Sequence, residues 1–191
     1  MSTTQLSTMQ FDGLTPGVWD IDPSHSEVGF TVRHLMSKVR GQFRAFSGSL
    51  VIAESPLDSS VSADIELSSV DTGNGDRDNH LRSADFFSVE TGATMSFRST
   101  GVRQDGDDLI ATGDLTIKDV AKPVELTLDF LGVGTDPWGG IRAGFEGTTT
   151  ISRKDWGVTF NVPLEGDKVM IGDKITIVIA IEAVRRADTA A

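Results

Sequence analysis

Few side chains of this sequence could act as a base, a nucleophile or a metal ligand near neutral pH. The 191-residue chain has three histidines, His25, His34 and His80, and no cysteine. Histidine has an ordinary pKa close to physiological pH, so these residues are the natural candidates for acid–base chemistry. Without cysteine, the sequence offers no disulfide, no thiolate metal site and no cysteine nucleophile.

Two polar clusters contain residue types found in catalytic and metal-binding sites. The Ser-His-Ser sequence at 24–26 places hydroxyls beside an imidazole, but no G-x-S-x-G elbow surrounds it and no third group is identifiable. Asp76, Asp78 and His80 are metal-ligand types, yet positions i and i+2 of a helix diverge, and the calcium-loop glycine and terminal glutamate are missing. We therefore predict no catalytic residue and no metal site. The two acids are expected to stabilise the start of a helix.

Composition limits the partners that the protein could bind. The 28 acidic and 17 basic residues give a formal net charge of -11. Such a surface repels phosphate backbones and anionic lipid headgroups, which disfavours nucleic-acid binding and electrostatic docking to a membrane. No window approaches about 18 consecutive apolar residues, so no membrane-spanning segment is expected. The first ten residues contain neither a basic region nor an apolar run, and we expect a cytoplasmic protein.

The elements that must position these groups are β-strands. Residues 109–130 contain two runs in which apolar and polar side chains alternate, with 119–123 as the turn between them. Alternation with a period of two places successive side chains on opposite faces, so this stretch predicts a β-hairpin. Similar alternation along the chain predicts about eight strands, and residues 76–83 predict a short helical insertion.

The predicted fold is all-β. Eight strands joined mostly by hairpin-length turns favour a closed antiparallel up-and-down barrel over a sandwich. We expect a flexible N-terminal tail at 1–15, one barrel domain at 16–186 and a C-terminal tail at 187–191.

A barrel of this size is either filled by its own side chains or holds one small ligand. The inward-facing sets mix large apolar residues with small ones, which are Ala63, Ala111, Gly113, Ala143 and Gly147. The small residues could leave an apolar channel, or side chains from other strands could fill the gaps. The sequence alone leaves both possibilities open.

Four stretches of the chain, taken in order, carry a family resemblance. They are W-D-I-D-P-S-H-S-E-V-G-F-T-V-R-H at 19–34, D-N-H-L-R-S-A-D-F-F at 78–87, G-D-L-T-I-K-D-V-A-K-P-V-E-L at 113–126 and I-S-R-K-D-W-G-V at 151–158. Together they resemble the YceI-like family of lipocalin-like proteins, which bind polyisoprenoid and related lipids. The resemblance implies an extended barrel around a long apolar pore, a helix near its mouth, non-covalent binding of one linear lipid and no established chemical step.

The sequence also departs from the family in three places. Relatives often carry an export signal, which the first ten residues do not show. Residues 90–93 (Glu-Thr-Gly-Ala) stand where relatives usually have a proline, and Asp119 occupies a turn position where glycine is common.

The leading functional hypothesis is non-catalytic binding, storage or transport of a long apolar lipid inside the barrel. A polyisoprenoid, a prenylated quinone or a fatty-acid derivative would fit, because each buried CH₂ contributes roughly 0.8 kcal/mol and little polar recognition is needed. Apart from such a ligand, no cofactor is expected. The predicted lipid contacts are Phe30, Val32, Ile65, Leu67, Phe86, Phe87, Phe97, Leu115, Ile117, Leu126, Leu128, Phe130 and Phe145. The predicted headgroup contacts are His25, Arg33 and His34.

Two other functions remain open. The chain could be an enzyme that acts on a lipid in the same cavity with His25 or His34 as general base. It could also be a ligand-free scaffold or stress protein with a fully packed core.

Two structural expectations concern the ends and the outside of the barrel. Apolar outer positions of the last strand, such as Val178, indicate either a homodimer contact or coverage by the helix. The segment 153–156 (Arg-Lys-Asp-Trp) is expected to tie one barrel end through an arginine–aspartate pair or an arginine stacked on the indole.

Overall fold

A computed structural model describes residues 11–89 and 94–188. The departure at 90–93 and the ends of both predicted tails therefore lie outside the described residues. Within them, eleven strands and one α-helix follow the order β1 (Gly17–Ile21), β2 (Glu27–His34), β3 (Ser37–Phe43), β4 (Phe46–Ile52), β5 (Ser60–Glu66), β6 (Val70–Asp71), α1 (Gly75–Arg82), β7 (Thr94–Asp105), β8 (Asp108–Ile117), β9 (Val120–Thr135), β10 (Ile141–Ser152) and β11 (Ile171–Arg185).

The strands close into a barrel. The sheet runs in the order β1-β4-β5-β7-β8-β9-β10-β11, and Trp19 of β1 pairs with Arg185 of β11 to complete the ring. The other half of β11 pairs with β2, which continues to β3 and β6. Along the chain, β2 follows β1, β4 follows β3 and β6 follows β5, each after a short break. Each of these pairs forms one divided strand of the barrel, so the eleven segments make eight strands. The predicted eight-stranded antiparallel barrel is therefore confirmed.

Helix α1 is the predicted helical insertion, displaced by one residue from the predicted range. The Asn74 side chain caps it by accepting a hydrogen bond from the Arg77 amide at 3.0 Å. The buried Asp78 carboxylate accepts from both the amide (2.9 Å) and the hydroxyl (2.6 Å) of Thr72. Asp78 therefore fixes the connection between β6 and α1. No helix in the described ranges is long and apolar enough to cross a membrane.

The barrel end remote from α1 is filled by a cluster that we call the far-end core. It contains Trp19, Ile52, Ala143, Phe145 and Ala183. The Trp19 side chain is 0% exposed, and its indole N–H donates to the Thr15 carbonyl at 3.0 Å. Because its polar atom has a partner, this large ring is buried without an unpaired donor.

Small residues in the strands are covered by their neighbours. A Cβ added at Gly113 would lie 2.5 Å from the Phe97 ring, and one added at Gly147 would lie 2.7 Å from Leu128. Ala111 and Ala143 are buried as well. At these positions other side chains fill the gaps, which is one of the two possibilities that the sequence left open.

The outer face of β11 is open to solvent at Val178, which is 49% exposed. Helix α1 therefore does not cover this position. The homodimer contact stays a prediction.

The hairpin between β8 and β9 has a tighter turn than the sequence predicts. Ile117 pairs with Val120, so Lys118 and Asp119 alone form the loop, and Pro123 lies inside β9 opposite Asp114. Both loop residues have positive φ, 51° and 64°. The left-handed region is unfavourable for lysine, and two-residue hairpin loops of this kind prefer Asn-Gly.

We predict that Lys118→Asn combined with Asp119→Gly raises the free energy of unfolding by about 1 kcal/mol. Urea denaturation measures the change. The matched control is Gly106→Ala in the β7–β8 turn, where φ is +62° and an added Cβ would touch nothing within 4 Å. The control should lower stability by about 1 kcal/mol, because only the backbone conformation is penalised. If the free energy of unfolding rose in both variants, or fell in both, this explanation would be contradicted.

Candidate functional site

An apolar cavity of about 200 Å³ lies at the barrel end that carries α1. Strands β2, β3 and β11 form one side of it, and α1 with the residues that follow it forms another. On the side of α1, β5 ends at Glu66, and the chain continues through β6 to the helix, whose residues line the cavity. The cavity reaches solvent beside His34, His80 and Met170, which line it and stay partly exposed.

A row of aromatic rings supports the cavity wall. Phe30 of β2 pairs with Gly41 of β3, and a Cβ at Gly41 would lie 2.4 Å from the Phe30 ring. Glycine thus allows the ring to lie directly over the neighbouring strand. Ring centroids are 5.7 Å apart between Phe30 and Phe43 and 5.9 Å apart between Phe43 and Phe87. The row therefore connects the sheet to the segment after α1.

Five of the residues predicted to contact lipid line this cavity. They are Phe30, Val32, Phe86, Phe87 and Ile117. Phe86 also packs against His80, with ring centroids 5.0 Å apart, so it contacts α1 as well as the cavity. Phe86 therefore both lines the cavity and anchors the helix.

The other eight predicted contacts do not line the cavity. Four are buried in the core beside it, and Leu126 packs against that core. Phe130 and Phe145 belong to the far-end region. Leu128 covers Gly147. The four buried residues are Ile65, Leu67, Phe97 and Leu115. Alternation predicts the face on which a side chain lies, but it does not predict how far along the strand the interior is filled. This also differs from the long pore implied by the resemblance, because none of the five far-end core residues lines the cavity.

The three predicted headgroup residues are separated in the structure. His34 is half-buried and lines the cavity. His25 is exposed at the other end of β11, where its Nδ1 lies 2.8 Å from Asp22 Oδ2. Arg33 is exposed and is not among the lining residues, because adjacent residues of a strand point to opposite faces. His25 and Arg33 therefore lie outside the cavity, and their contact with a headgroup stays a prediction.

Most of the cavity wall was not predicted. A signal existed for Ile175 and Ile177, which belong to the strongly apolar last strand. The helical residues have no comparable signal, because their contact with the cavity depends on how α1 docks. The unpredicted lining residues are Val28, Gly29, Val39, Phe43, Thr72, Arg77, His80, Leu81, Met95, Ile151, Arg153, Trp156, Val158, Met170, Ile171, Ile175 and Ile177.

The polar groups of the wall are mostly basic and mostly engaged. Arg77 donates from Nε to the Thr72 hydroxyl at 2.7 Å and from Nη2 to the Thr72 carbonyl at 2.8 Å. His80 Nε2 lies 2.8 Å from Asp85 Oδ2. Among the lining residues of the described chain there is no aspartate or glutamate. The wall therefore suits an apolar molecule and offers no carboxylate to hold a metal ion.

Arg153 joins the cavity wall to the end of the barrel. Its side chain is 5% exposed, and its Nη1 donates to the carbonyls of Val158 and Phe160, each at 2.9 Å. Burial lowers the pKa of Arg153, and the charge of Asp173, 3.6 Å from Nη2, opposes that change. The predicted arginine–aspartate pair thus involves Asp173. The indole of Trp156 instead donates to the Leu115 carbonyl at 2.9 Å.

A second polar cluster lies outside the cavity near the far end. Asp22, His25 and Glu182 present ligand atoms within 4.8 Å of one another. However, Arg142 Nη1 donates to Asp22 at 2.8 Å and to Glu182 at 2.7 Å, so a guanidinium already occupies the space between the two carboxylates. The hydrogen bond from Arg142, followed by that from His25, lowers the pKa of Asp22 to about 2. This cluster is explained as an ion-pair network.

The Asp22 pKa predicts how stability responds to acid. The folded-state pKa lies below the ordinary value of 3.8, so the contribution is complete above about pH 4 and is lost as the pH falls through about 2. Arg142→Met removes this contribution, and the difference in unfolding free energy between wild type and variant should shrink between pH 4 and pH 2. Denaturant unfolding across this range measures it, with Arg40→Met as a control on an exposed arginine. Parallel pH curves for wild type and Arg142→Met would contradict the assignment.

The size of the cavity limits what it can hold. An apolar cavity of about 150 Å³ stays dry and binds benzene, so a cavity of about 200 Å³ accommodates roughly eight carbon atoms. The hydroxyl of Thr72 is occupied by Asp78 and Arg77, which leaves it poorly placed as a nucleophile. The geometry supports burial of part of a hydrocarbon chain.

Comparison with solved structures identifies the same barrel elsewhere. BcnA from Burkholderia cenocepacia superimposes with a TM-score of 0.73 at 21% identity, over 85% of this chain and 98% of that one. A polyisoprenoid binding domain from Saccharophagus degradans, described as implicated in plant cell wall breakdown, gives a TM-score of 0.66 at 15% identity, over 90% of this chain and 100% of that one. These similarities establish the fold.

Sequence comparison establishes the family. A UPF0312 protein of Photorhabdus laumondii is 41% identical over 168 residues, which cover 87% of this chain and 84% of that protein. Residues 19–183 match the family model described as a YceI-like domain. The resemblance noted in the four sequence stretches is thereby confirmed, and the chain belongs to the family of proteins with a YceI-like domain.

Proposed function

We propose that this protein binds a long apolar lipid non-covalently and that the end of the lipid chain occupies the cavity beneath α1. The observation that carries the proposal is a cavity of about 200 Å³ with an overwhelmingly apolar wall. Family membership and the polyisoprenoid binding domain of Saccharophagus degradans support the same ligand class. Storage or transport of the lipid would follow from such binding.

Burial of the chain end favours binding. About eight carbon atoms, at roughly 0.8 kcal/mol each, contribute roughly 6 kcal/mol. A longer chain would extend past His34, His80 and Met170, where the cavity reaches solvent. The basic and neutral groups at that edge are compatible with a hydroxyl, carbonyl or anionic head.

On this proposal the protein binds its lipid without changing it chemically. His34 and His80 are the histidines of the wall, and the one hydroxyl side chain beside them, Thr72, is held by Asp78 and Arg77 within the described part of the chain. An enzyme that used His34 as a base would lose turnover in His34→Ala. We expect a bound lipid to be recovered chemically unchanged from wild type, His34→Ala and His80→Ala after prolonged incubation.

Native mass spectrometry of the purified protein, followed by lipid extraction, tests the proposal. We expect about one equivalent of an apolar lipid to be released on denaturation, or to be taken up when delipidated protein is incubated with a polyprenol. A protein that carries no lipid and takes up none would support the packed-scaffold alternative. Conversion of the lipid during incubation would support the enzyme alternative.

A further inference from the structure

The hairpin between β2 and β3 ends in two exposed apolar residues. His34 pairs with Ser37, so Leu35 and Met36 alone form the loop. Met36 is 96% exposed, and Leu35 is exposed as well. Single exposed apolar residues are ordinary, but here two occupy a turn where polar or glycine residues are normal.

The backbone conformation of this turn is unfavourable for its first residue, Leu35. Leu35 has a φ of 51°, in the left-handed region that disfavours a branched apolar side chain. Only Leu35 of the two loop residues has positive φ, and glycine at this first position would satisfy the turn without this cost. The stability of the turn therefore does not explain why Leu35 and Met36 occupy it. Contact of these two side chains with another molecule does explain it.

A second loop places more apolar surface beside the tip. The Leu35 amide donates to the Met170 carbonyl at 2.9 Å, and the Met170 amide donates to the Val162 carbonyl at 3.1 Å. Val162 and Val169 on this loop are exposed. His34 and Met170, which adjoin the tip and this loop, line the cavity where it reaches solvent. The exposed apolar residues thus form a rim, Leu35, Met36, Val162 and Val169, around the cavity entrance.

Charge around the rim differs from that of the whole protein. No acidic residue occurs between Glu27 and Glu54, although the chain has 28 of them and a net charge of -11. Arg33, Lys38 and Arg40 lie on the hairpin, and none forms an ion pair with the described residues. The neighbouring loop contributes Glu165, Asp167 and Lys168, so the rim region as a whole stays positive.

We propose that the rim docks on the surface of a lipid bilayer, with Leu35 and Met36 inserted among the acyl chains and the hairpin cations next to the headgroups. Apolar tips flanked by basic residues bind membranes through these two contributions together. The overall negative charge opposes docking of the protein in other orientations and so favours this one. Docking here brings the cavity entrance to the bilayer, from which a lipid could enter; this last step rests on the proposed function, whereas the docking itself does not.

Vesicle flotation of the full chain tests the docking surface without measuring lipid uptake. The vesicles contain phosphatidylcholine and phosphatidylglycerol at a molar ratio of about 7:3. We expect Leu35→Ser combined with Met36→Ser to reduce partitioning at least tenfold, because two inserted side chains are lost. Lys38→Gln should reduce it by about fivefold, and less with pure phosphatidylcholine. The matched control is Trp138→Ser, since Trp138 is 85% exposed on the turn between β9 and β10.

The outcomes separate docking from its alternatives. The hairpin variant is Leu35→Ser combined with Met36→Ser. Loss of its partitioning into vesicles, with retention of partitioning by Trp138→Ser, supports the proposal. Absence of partitioning by the wild type, or loss only in Trp138→Ser, overturns it. A hairpin variant that changes from dimer to monomer in sedimentation velocity while partitioning normally would assign the rim to a second copy of this chain, and would also overturn it. Lipid extraction from the same variants reports separately on the proposed function.

Discussion

Ile177→Asp is expected to abolish lipid uptake, whereas Val178→Asp should leave it unchanged. The two residues are adjacent on β11 and have opposite orientations: Ile177 lines the cavity, and Val178 is on the exposed outer face. A carboxylate in the apolar wall must be desolvated by the bound chain, which we expect to weaken binding by at least about a hundredfold. Titration of delipidated protein with a polyprenol, followed by native mass spectrometry, measures the difference.

A second variant at the same position guards against loss of the fold. Ile177→Phe keeps the wall apolar and reduces the free volume, so it should weaken binding with little effect on unfolding. Circular dichroism and denaturant unfolding of all three variants establish that they are folded. If Val178→Asp lost lipid and both Ile177 variants retained it, the assignment of the inner face would be wrong.

Trp19→Ala is expected to have the largest effect on stability, a loss of about 3–5 kcal/mol. Trp19 is fully buried in the far-end core, and its removal leaves a void among Ile52, Phe145 and Ala183. This is a large part of the 5–15 kcal/mol that stabilises a typical domain. Trp138→Ala is the control, and its exposed ring should contribute within about 0.5 kcal/mol.

Denaturant unfolding at 25 °C measures both tryptophan variants. Lipid binding by Trp19→Ala should be retained under conditions where the protein is folded, because the far-end core is separate from the cavity. A loss below about 1 kcal/mol for Trp19→Ala would show that the far end is not packed. Trp19 would then not be part of a packed core at this end of the barrel.

The sequence predicted the barrel because each strand carries its own evidence. The alternation of residues 109–130 placed Leu109, Ala111 and Leu115 on the inner face, and these residues are buried in the structure. The turn between the two strands was predicted less well, since Lys118 adopts a positive φ that its residue type does not suggest. Local patterns determine faces, whereas exact loops depend on the pairing register.

The cavity could be predicted only in part. Phe30 and Val32 were assigned to it because their strand alternates, but Phe97 and Leu115 alternate equally well and lie in the packed core. What separates the two pairs is their position relative to α1, which depends on how the helix docks on the sheet. Arg77 and His80 reach the wall through the docking of α1, a tertiary contact that no local pattern encodes.

The headgroup predictions show the same limit. His34 lines the cavity, whereas His25, nine residues earlier, joins the ion-pair network of Asp22 and Arg142. The break between β1 and β2 separates His25 from the strand that carries His34. A histidine's chemistry follows from its neighbours, and these come from distant parts of the chain.

The position of the bound chain can be measured directly with the three tryptophans. Trp156 is in the cavity wall, Trp19 is in the far-end core, and Trp138 is exposed. Variants that keep one tryptophan each, with phenylalanine at the other two positions, would be titrated with a lipid brominated at the end of its hydrocarbon chain, since bromine quenches indole fluorescence at short range. We predict quenching of Trp156 and little change in Trp19 or Trp138. Quenching of Trp19 without Trp156, or of neither, would contradict a lipid-binding cavity beneath α1.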